Sequence, residues 1–351
     1  MAFDVMGAEF NAFTDKENCC IYADFIDENL PECLELLLDI VSNPSFFIEH
    51  IKTEKKVVLE EIKMMEDNPS DILLNHFYSE IFNGHPLAYP VLGTRSTLRK
   101  INKKSINSYF SDKFGLGNMV ISAAGNIEHN RLVGMIKKCS EEIRSGVQNT
   151  DIIKGGTPAN GNGGRSIHHG KSKATHLCMG GLGCDRSSRE RYPLSLFTNL
   201  LGGSMSSRLF QKIREEEGLA YSISANNIQY GDTGLLFMYA ACSAKNVDKI
   251  LMLINKEIED IRKNGVIGEE LERARENIKG SIVLSVEDIS SRMFRLGKTL
   301  LFDKKVLTIN QILKKIDTVT IFDINNIVEK YFYPENLSTV ILGKNMKGIK
   351  Q

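Results

Sequence analysis

Two glutamates in one amphipathic segment, Glu54 and Glu61, are the first candidates for chemistry in this sequence. The segment reads Glu54-Lys-Lys-Val-Val-Leu-Glu-Glu61-Ile-Lys-Met-Met-Glu66, and its apolar residues recur at the spacing of a helix. The two glutamates are about two helical turns apart, so their carboxylates point the same way beside the apolar stripe. Carboxylates next to a buried face are costly unless a positive partner meets them. That partner is either a metal ion or the lysines of the same segment on a solvated helix edge.

Composition and charge exclude some classes of function. The 351 residues are 42% hydrophobic and 25% charged, which is typical of a soluble globular protein with two domains. Lys and Arg total 44, as do Asp and Glu, so the chain lacks the basic excess that binds nucleic acid. No apolar run approaches the length of a membrane span. We therefore expect neither a nucleic-acid partner nor a membrane partner.

The cysteines and the first residues bear on the cellular compartment. Seven cysteines, an odd number with no Cys-x-x-Cys pair, predict free thiols in a reducing compartment. Residues 1–7 have no basic n-region and no apolar h-region, so no export signal is visible. Both features favour a cytoplasmic protein.

Strand and helix patterns alternate along the chain. Aromatic and β-branched runs around a polar tetrad predict two strands joined by a turn within 7–25. A short apolar strand is predicted over 118–125, and Arg208–Glu217 is predicted as a helix that Gly218 ends. Strands mixed with packed helices indicate an α+β fold.

The two halves of the sequence repeat each other. Tyr22–Leu30 aligns with Tyr239–Val247, and other matched stretches keep nearly the same separation along the chain. A near-constant separation indicates a duplicated domain. We therefore predict two homologous domains over 1–147 and 166–351, joined by a glycine-rich linker over 148–165.

Five patches of this sequence share their residue types and order with one known family. The patches are Gly7-Ala-Glu-Phe-Asn11-Ala12-Phe-Thr14, Glu54-Lys-Lys-Val-Val-Leu-Glu-Glu61-Ile, His85-Pro86 with Gly93-Thr94, Leu201-Gly-Gly-Ser-Met-Ser-Ser-Arg208-Leu-Phe and Arg214-Glu-Glu-Glu-Gly-Leu-Ala-Tyr221-Ser. Together they resemble the pitrilysin/insulinase family of zinc metallopeptidases, the inverzincins, which include the processing peptidases. The resemblance covers nearly the whole chain. It implies two α+β halves, each with an antiparallel-rich sheet, that close like a clamshell around a peptide.

The resemblance also implies a zinc cofactor. In the family, two histidines of a His-x-x-Glu-His helix and a distal glutamate bind zinc, and that glutamate matches Glu61. Glu54 matches an acid that lies just outside the zinc ligands. A site of two histidines and one glutamate leaves a position for water, which zinc activates for peptide hydrolysis.

Four further residues match positions that hold the substrate in the family. Arg214 and Tyr221 match an arginine and a tyrosine that bind the peptide backbone and the developing oxyanion, a role that suits a cation and a phenol. Asn11 and Ala12 match an edge strand to which a substrate peptide adds as a further strand. The resemblance thus implies a peptide or protein substrate.

This sequence departs from the family because it contains no His-x-x-Glu-His. None of its seven histidines is followed four residues later by another with glutamate between them. The nearest match, around Glu49-His50, lacks the first ligand. The family pattern puts the motif ahead of Met1, so we expect the chain to begin inside the first domain, past the catalytic helix.

Two hypotheses from different classes follow. The first is a zinc-dependent endopeptidase that is truncated, and inactive as this chain. The second is a non-catalytic peptide-binding subunit that pairs with a zinc-bearing homologue or with a second copy of itself. Retention of both Glu61 and the Arg214/Tyr221 pair favours descent from a complete enzyme.

Overall fold

The structure is a computed structural model that describes residues 1–140, 163–303 and 305–344. Residues 148–162 of the predicted linker lie outside the described residues. Among the helices of the described residues, none is both long enough and apolar enough to cross a membrane. All seven cysteines are free thiols, as their number predicts.

Helices and strands alternate, and the predicted α+β class is confirmed. The α-helices of the described residues are α1 (Ala2–Val5), α2 (Leu30–Ser42), α3 (Ile48–Asp67), α4 (Pro69–Ile81), α5 (Arg95–Lys100), α6 (Lys103–Lys113), α7 (His129–Ser140), α8 (Arg191–Thr198), α9 (Val247–Asn264), α10 (Gly268–Ser285), α11 (Ile289–Asp303), α12 (Ile309–Asp317) and α13 (Ile321–Tyr331). The strands are β1 (Glu9–Thr14), β2 (Cys19–Asp24), β3 (Arg165–His169), β4 (Thr175–Gly183), β5 (Ala220–Gln229), β6 (Gly234–Cys242) and β7 (Ser338–Gly343).

Contacts divide the chain into two compact units, of which the first holds Met1–Ile62, Val91–Ile153 and Leu284–Val306. In this unit β1 pairs antiparallel with β2, and Asn11 lies opposite Tyr22. The helical spacing of leucines in α2 places three of them on one face, where they pack with a leucine of α7. These leucines form a small core within the first unit.

The second unit holds Lys63–Pro90, Lys154–Val283 and Leu307–Gln351 and contains a five-stranded sheet. The strand order is β3-β7-β4-β6-β5; β3 and β7 run parallel, and every other neighbouring pair is antiparallel. Successive residues of β4, Leu177 and Cys178, enter opposite cores because side chains alternate across a strand. One core contains side chains of α4, and the other contains side chains of α8, α9 and α13. The sheet is therefore buried on both faces.

Towards the end of each predicted repeat the order of the elements is similar, with one difference. Helix α6 is followed by a 3₁₀ turn at Leu116–Asn118, and α13 is followed by one at Pro334–Asn336. The second turn leads into β7, but no strand is formed after the first, so the predicted strand over 118–125 is wrong. A strand requires a hydrogen-bonded neighbour. Strand β7 lies between β3 and β4, whereas Ser122 instead donates its hydroxyl to the carbonyl of Met293 at 2.8 Å.

The division by contacts differs from the division by sequence repeat. Helix α4 belongs to the second unit, where it packs on β4 and β7, and α11 belongs to the first. The predicted domains, 1–147 and 166–351, therefore stay a prediction about the sequence repeat.

Candidate functional site

Arg214 lies on a π-helical turn, Phe210–Glu216. The predicted helix is present here, but with wider i→i+5 hydrogen bonding, which is rare and is frequently found at functional sites. Ile213 is fully buried in the core and anchors the turn, while the adjacent Arg214 is exposed. The guanidinium carbon of Arg214 lies 4.8 Å from the centroid of the Phe210 ring. This distance is within the range of a cation–π interaction.

Two of the three carboxylates that directly follow Arg214 in the sequence are bound by lysines. Glu216 accepts a hydrogen bond from Lys212 at 2.7 Å, and Glu217 accepts one from Lys249 at 2.6 Å. These contacts hold the pKa of Glu217 below its usual range and raise the pKa of Lys212. Within the described chain, the Arg214 guanidinium makes no ion pair with either acid. Its donors therefore face solvent.

Arg208 fixes the chain just before the π-helical turn. Its guanidinium donates two hydrogen bonds to Glu270, at 2.7 and 2.8 Å, and one to Asp260 at 2.8 Å. The hydrogen bonds to Glu270, more than any other contact, raise the pKa of Arg208. A bidentate pair fixes geometry as well as energy. The turn that carries Arg214 is thus tied to α9 and α10.

Tyr221 follows the π-helical turn at the start of the edge strand β5. The ladder with β6 pairs Ala220 and Ser222 with consecutive residues, so Tyr221 is the extra residue of a β-bulge. Bulges re-aim a side chain, and the Tyr221 side chain is 68% exposed. Gly218, at φ +59°, reverses the chain between Arg214 and Tyr221, and the N–H of Leu219 donates to the carbonyl of Ile213 at 2.9 Å. Two backbone irregularities thus present the two predicted residues to solvent.

Glu54 and Glu61 lie on α3 as the sequence predicts, and both side chains are exposed. Ile62 is the one buried residue of this helix, with 2% exposure. Lys55 donates instead to the carbonyl of Arg99 at 3.3 Å. Within the described chain, neither glutamate forms an ion pair with a lysine of the segment. The two acids are therefore solvated but unpaired.

The residues around Glu61 do not fit a catalytic zinc. Among the described residues, no group of three or more His, Cys, Asp and Glu side chains converges on one point. The only histidine of α3 is His50, which at 1.5 Å per residue lies roughly 16 Å from Glu61 along the helix axis. Zinc ligands lie about 2 Å from the metal, so the two cannot share an ion. Of the three zinc ligands that the resemblance implies, only Glu61 has a counterpart in this sequence.

Asn11 and Ala12 lie in β1, all six residues of which are exposed. The strand has β2 as its neighbour in a two-stranded sheet, so its other edge is open among the described strands. The side-chain oxygen of Asn11 accepts a hydrogen bond from the N–H of Ala12 at 2.8 Å. An exposed edge of this kind is a template for a further strand.

A second group of titratable side chains lies in the second unit and was not predicted as a group. The rings of His76 and His168 are stacked, with centroids 3.8 Å apart, and His168 also contacts Glu80 at 3.3 Å. Burial, and then the neighbouring His168, lower the pKa of His76. These contacts tie α4 to β3.

Comparison with known protein families identifies the family to which this chain belongs. Residues 1–95 match the family described as insulinase, peptidase family M16, and residues 100–278 match the M16 inactive domain. The second match alone spans more than half of the 351 residues. The chain belongs to the M16 family of peptidases. The resemblance seen in the sequence is thereby confirmed.

Curated relatives of this M16 chain are named as proteases. An uncharacterized zinc protease of Bacillus subtilis, YmxG, is 34% identical over 331 residues, which are 94% of this chain and 80% of the relative. An uncharacterized zinc protease of Mycobacterium tuberculosis is 32% identical, over 97% of this chain and 78% of the relative.

Solved structures share the M16 fold. A crystal structure of a peptidase M16 inactive domain from Pseudomonas fluorescens matches with a TM-score of 0.87 and 19% identity, over 98% of this chain and 82% of that one. A chain of complex III from Candida albicans matches with a TM-score of 0.85 and 18% identity, over 98% and 84%. At these identities the likeness shows the fold alone.

Phe210 ends one of the patches that match the M16 family, but no contact between Phe210 and Arg214 was predicted from the sequence. Phe210 stands four residues before Arg214, and Lys212 stands four residues before Glu216, which is the spacing of neighbours on a helix. These spacings were signals for both contacts. The pairing of Lys249 with Glu217 joins distant parts of the chain and had no local signal.

Proposed function

We propose that this protein is a zinc-dependent endopeptidase of the insulinase type whose zinc ligand set is incomplete in this chain. The chain by itself then binds peptides without cleaving them. The observation that carries the proposal is the exposed Arg214, with solvent-facing donors, on the turn that leads to the exposed Tyr221.

Each proposed site residue has a role that suits its chemistry. Arg214 and Tyr221 donate to carbonyl oxygens of a bound peptide, because a guanidinium and a phenol are both donors for such groups. Asn11 and Ala12 offer the edge of β1 to the extended peptide. Glu61 supplies one zinc ligand, and Glu54 supports it.

Zinc content and peptidase activity test the incomplete ligand set. After dialysis against limiting zinc, we expect the purified chain to retain far less than one zinc per chain, since one carboxylate cannot hold the ion. Glu61→Gln should retain the same small amount. We also expect no chelator-sensitive cleavage of a mixed quenched-fluorescent peptide set. One firmly held zinc per chain with cleavage that a chelator abolishes would refute the proposal.

A second candidate function is a non-catalytic peptide-binding subunit. It is favoured by the lack of a three-ligand group among the described residues. The structural neighbour from complex III is itself part of an assembly. The partner would be a zinc-bearing homologue or a second copy of this chain.

Mixing distinguishes the two candidates. A subunit should sediment as a complex with a zinc-bearing M16 homologue and raise its cleavage rate, and Arg214→Gln should remove that gain. Independent sedimentation of the two chains, with an unchanged rate, is the outcome expected if this chain is not a subunit.

A further inference from the structure

We infer that Phe210 is a positioning residue that holds the Arg214 guanidinium by its face, so that its N–H donors stay available for a peptide. This inference rests on the proposed peptide-binding role of Arg214. It adds a residue with no polar atom in its side chain to the recognition of the substrate.

The geometry of the π-helical turn brings the two side chains together. Phe210 is partly buried and packs against the core of the second unit, so its ring is fixed. The guanidinium carbon of Arg214 lies 4.8 Å from the ring centroid. A ring attracts a cation through its face without accepting conventional hydrogen bonds at the edge of the guanidinium. The contact therefore restrains Arg214 without occupying its fork of donors.

Lys212 and Lys249 bind two of the three carboxylates that directly follow Arg214 in the sequence. Glu216 is held by Lys212 at 2.7 Å, and Glu217 is held by Lys249 at 2.6 Å. A free carboxylate that reached the exposed guanidinium would occupy some of its donors. Phe210 and the two lysines thus act together: the ring restrains the guanidinium, and the lysines engage two of the neighbouring carboxylates.

The contact between Phe210 and Arg214 affects affinity because it restrains the arginine side chain before the peptide binds. A long flexible side chain must be ordered when it binds, and this ordering opposes association. An arginine that is already held over a ring loses less freedom. We expect loss of the ring to weaken peptide binding about two- to fivefold, the range of a cation–π contact at an exposed site.

Replacing the aromatic ring of Phe210 by an aliphatic side chain tests the inference. The full-length protein is used, with chelator present. Binding of a fluorescein-labelled extended decapeptide is followed by fluorescence anisotropy. We expect Phe210→Leu to weaken binding by the stated factor and Phe210→Tyr, which keeps the ring, to restore it. In the Arg214→Gln background, Phe210→Leu should have no further effect, because the two residues act as one unit.

A second pair of variants leaves Phe210 intact. Lys249→Met releases Glu217, which should then bind Arg214 and weaken the peptide complex; adding Glu217→Gln should restore it. The Nε–H proton of Arg214, observed by NMR, should be shifted upfield by the ring in the native chain and in Phe210→Tyr, but not in Phe210→Leu.

The outcomes separate this inference from the proposed function. If Arg214→Gln leaves peptide binding unchanged, the proposed function fails. If Arg214→Gln weakens binding but Phe210→Leu and Lys249→Met do not, or if Phe210→Leu and Arg214→Gln add independently, this inference alone is overturned. A urea unfolding midpoint within error of the native chain confirms that each variant is folded.

Discussion

At the scale of single residues, one hydrogen-bonded group links three side chains that are far apart in the sequence. His176 of β4 is 9% exposed, and its Nδ1 lies 2.8 Å from the hydroxyl of Tyr239 in β6. That hydroxyl also lies 3.0 Å from the hydroxyl of Ser70 in α4. Burial lowers the pKa of His176 and raises the pKa of Tyr239. No local pattern in the sequence predicts such a group, because its members meet only after the sheet has formed.

His176 should make the stability of the chain depend on pH. Its pKa in the folded chain lies below the ordinary value of 6.5, so the unfolded chain takes up the proton first. The free energy of unfolding is unaffected above that value and falls as the pH drops below it. We expect His176→Gln to reduce this fall between about pH 7 and about pH 5, measured by urea unfolding.

His169 provides the matched control for that measurement. It lies on β3 in the same unit and is exposed, so His169→Gln removes an imidazole without removing the contacts of the buried His176. Part of the fall should remain in His176→Gln, because the pKa of His76 is lowered as well. Identical profiles for the native chain and His176→Gln would count against the buried, neutral state of this imidazole.

At the scale of elements, periodic patterns predicted the regular helices, and irregular backbone escaped prediction. The apolar stripe of α3 and the strand–turn–strand pattern of β1 and β2 were sufficient to locate those elements. The π-helical turn Phe210–Glu216 and the β-bulge at Tyr221 were not predictable, because each depends on how the segment packs against its neighbours. These two irregularities carry the two exposed candidate residues of the second unit.

Gly218 is the element-level feature most open to test. Its φ of +59° lies in the left-handed region, where any other residue is strained, although no atom lies within 4 Å of an added Cβ. We expect Gly218→Ala to lower the free energy of unfolding by about 1–2 kcal/mol. The same variant should weaken peptide binding, because the turn sets the chain between Arg214 and Tyr221.

Gly280 offers a control for which alanine substitution should change the free energy of unfolding in the opposite direction. It lies inside α10 with no positive φ and with nothing within 4 Å of an added Cβ. Gly280→Ala should raise the free energy of unfolding by about 0.5–1 kcal/mol, since alanine is the better helix former. Equal effects of the two substitutions would show that the backbone at Gly218 is not left-handed in solution.

At the scale of the whole molecule, the sequence predicted the α+β class and the M16 family, and it predicted that both candidate acids lie on one helix. The compact units could not be predicted from the sequence, since α4 and α11 group with elements from the other sequence half. Which helix packs on which sheet depends on contacts across the chain and not on periodicity. The same limit applies to Phe210 and Lys249, whose effect on Arg214 depends on packing.

Peptide binding by Arg214 in the absence of metal is the central claim, and one titration tests it most directly. A labelled extended peptide is titrated with the native chain, with Arg214→Gln and with Arg273→Gln, an exposed arginine of α10 as control, all in chelator. We expect saturable binding by the native chain and by Arg273→Gln, and binding at least about tenfold weaker by Arg214→Gln, the loss of one charge-assisted hydrogen bond of about 1.4 kcal/mol. No binding by the native chain, or equal binding by all three, would contradict the account.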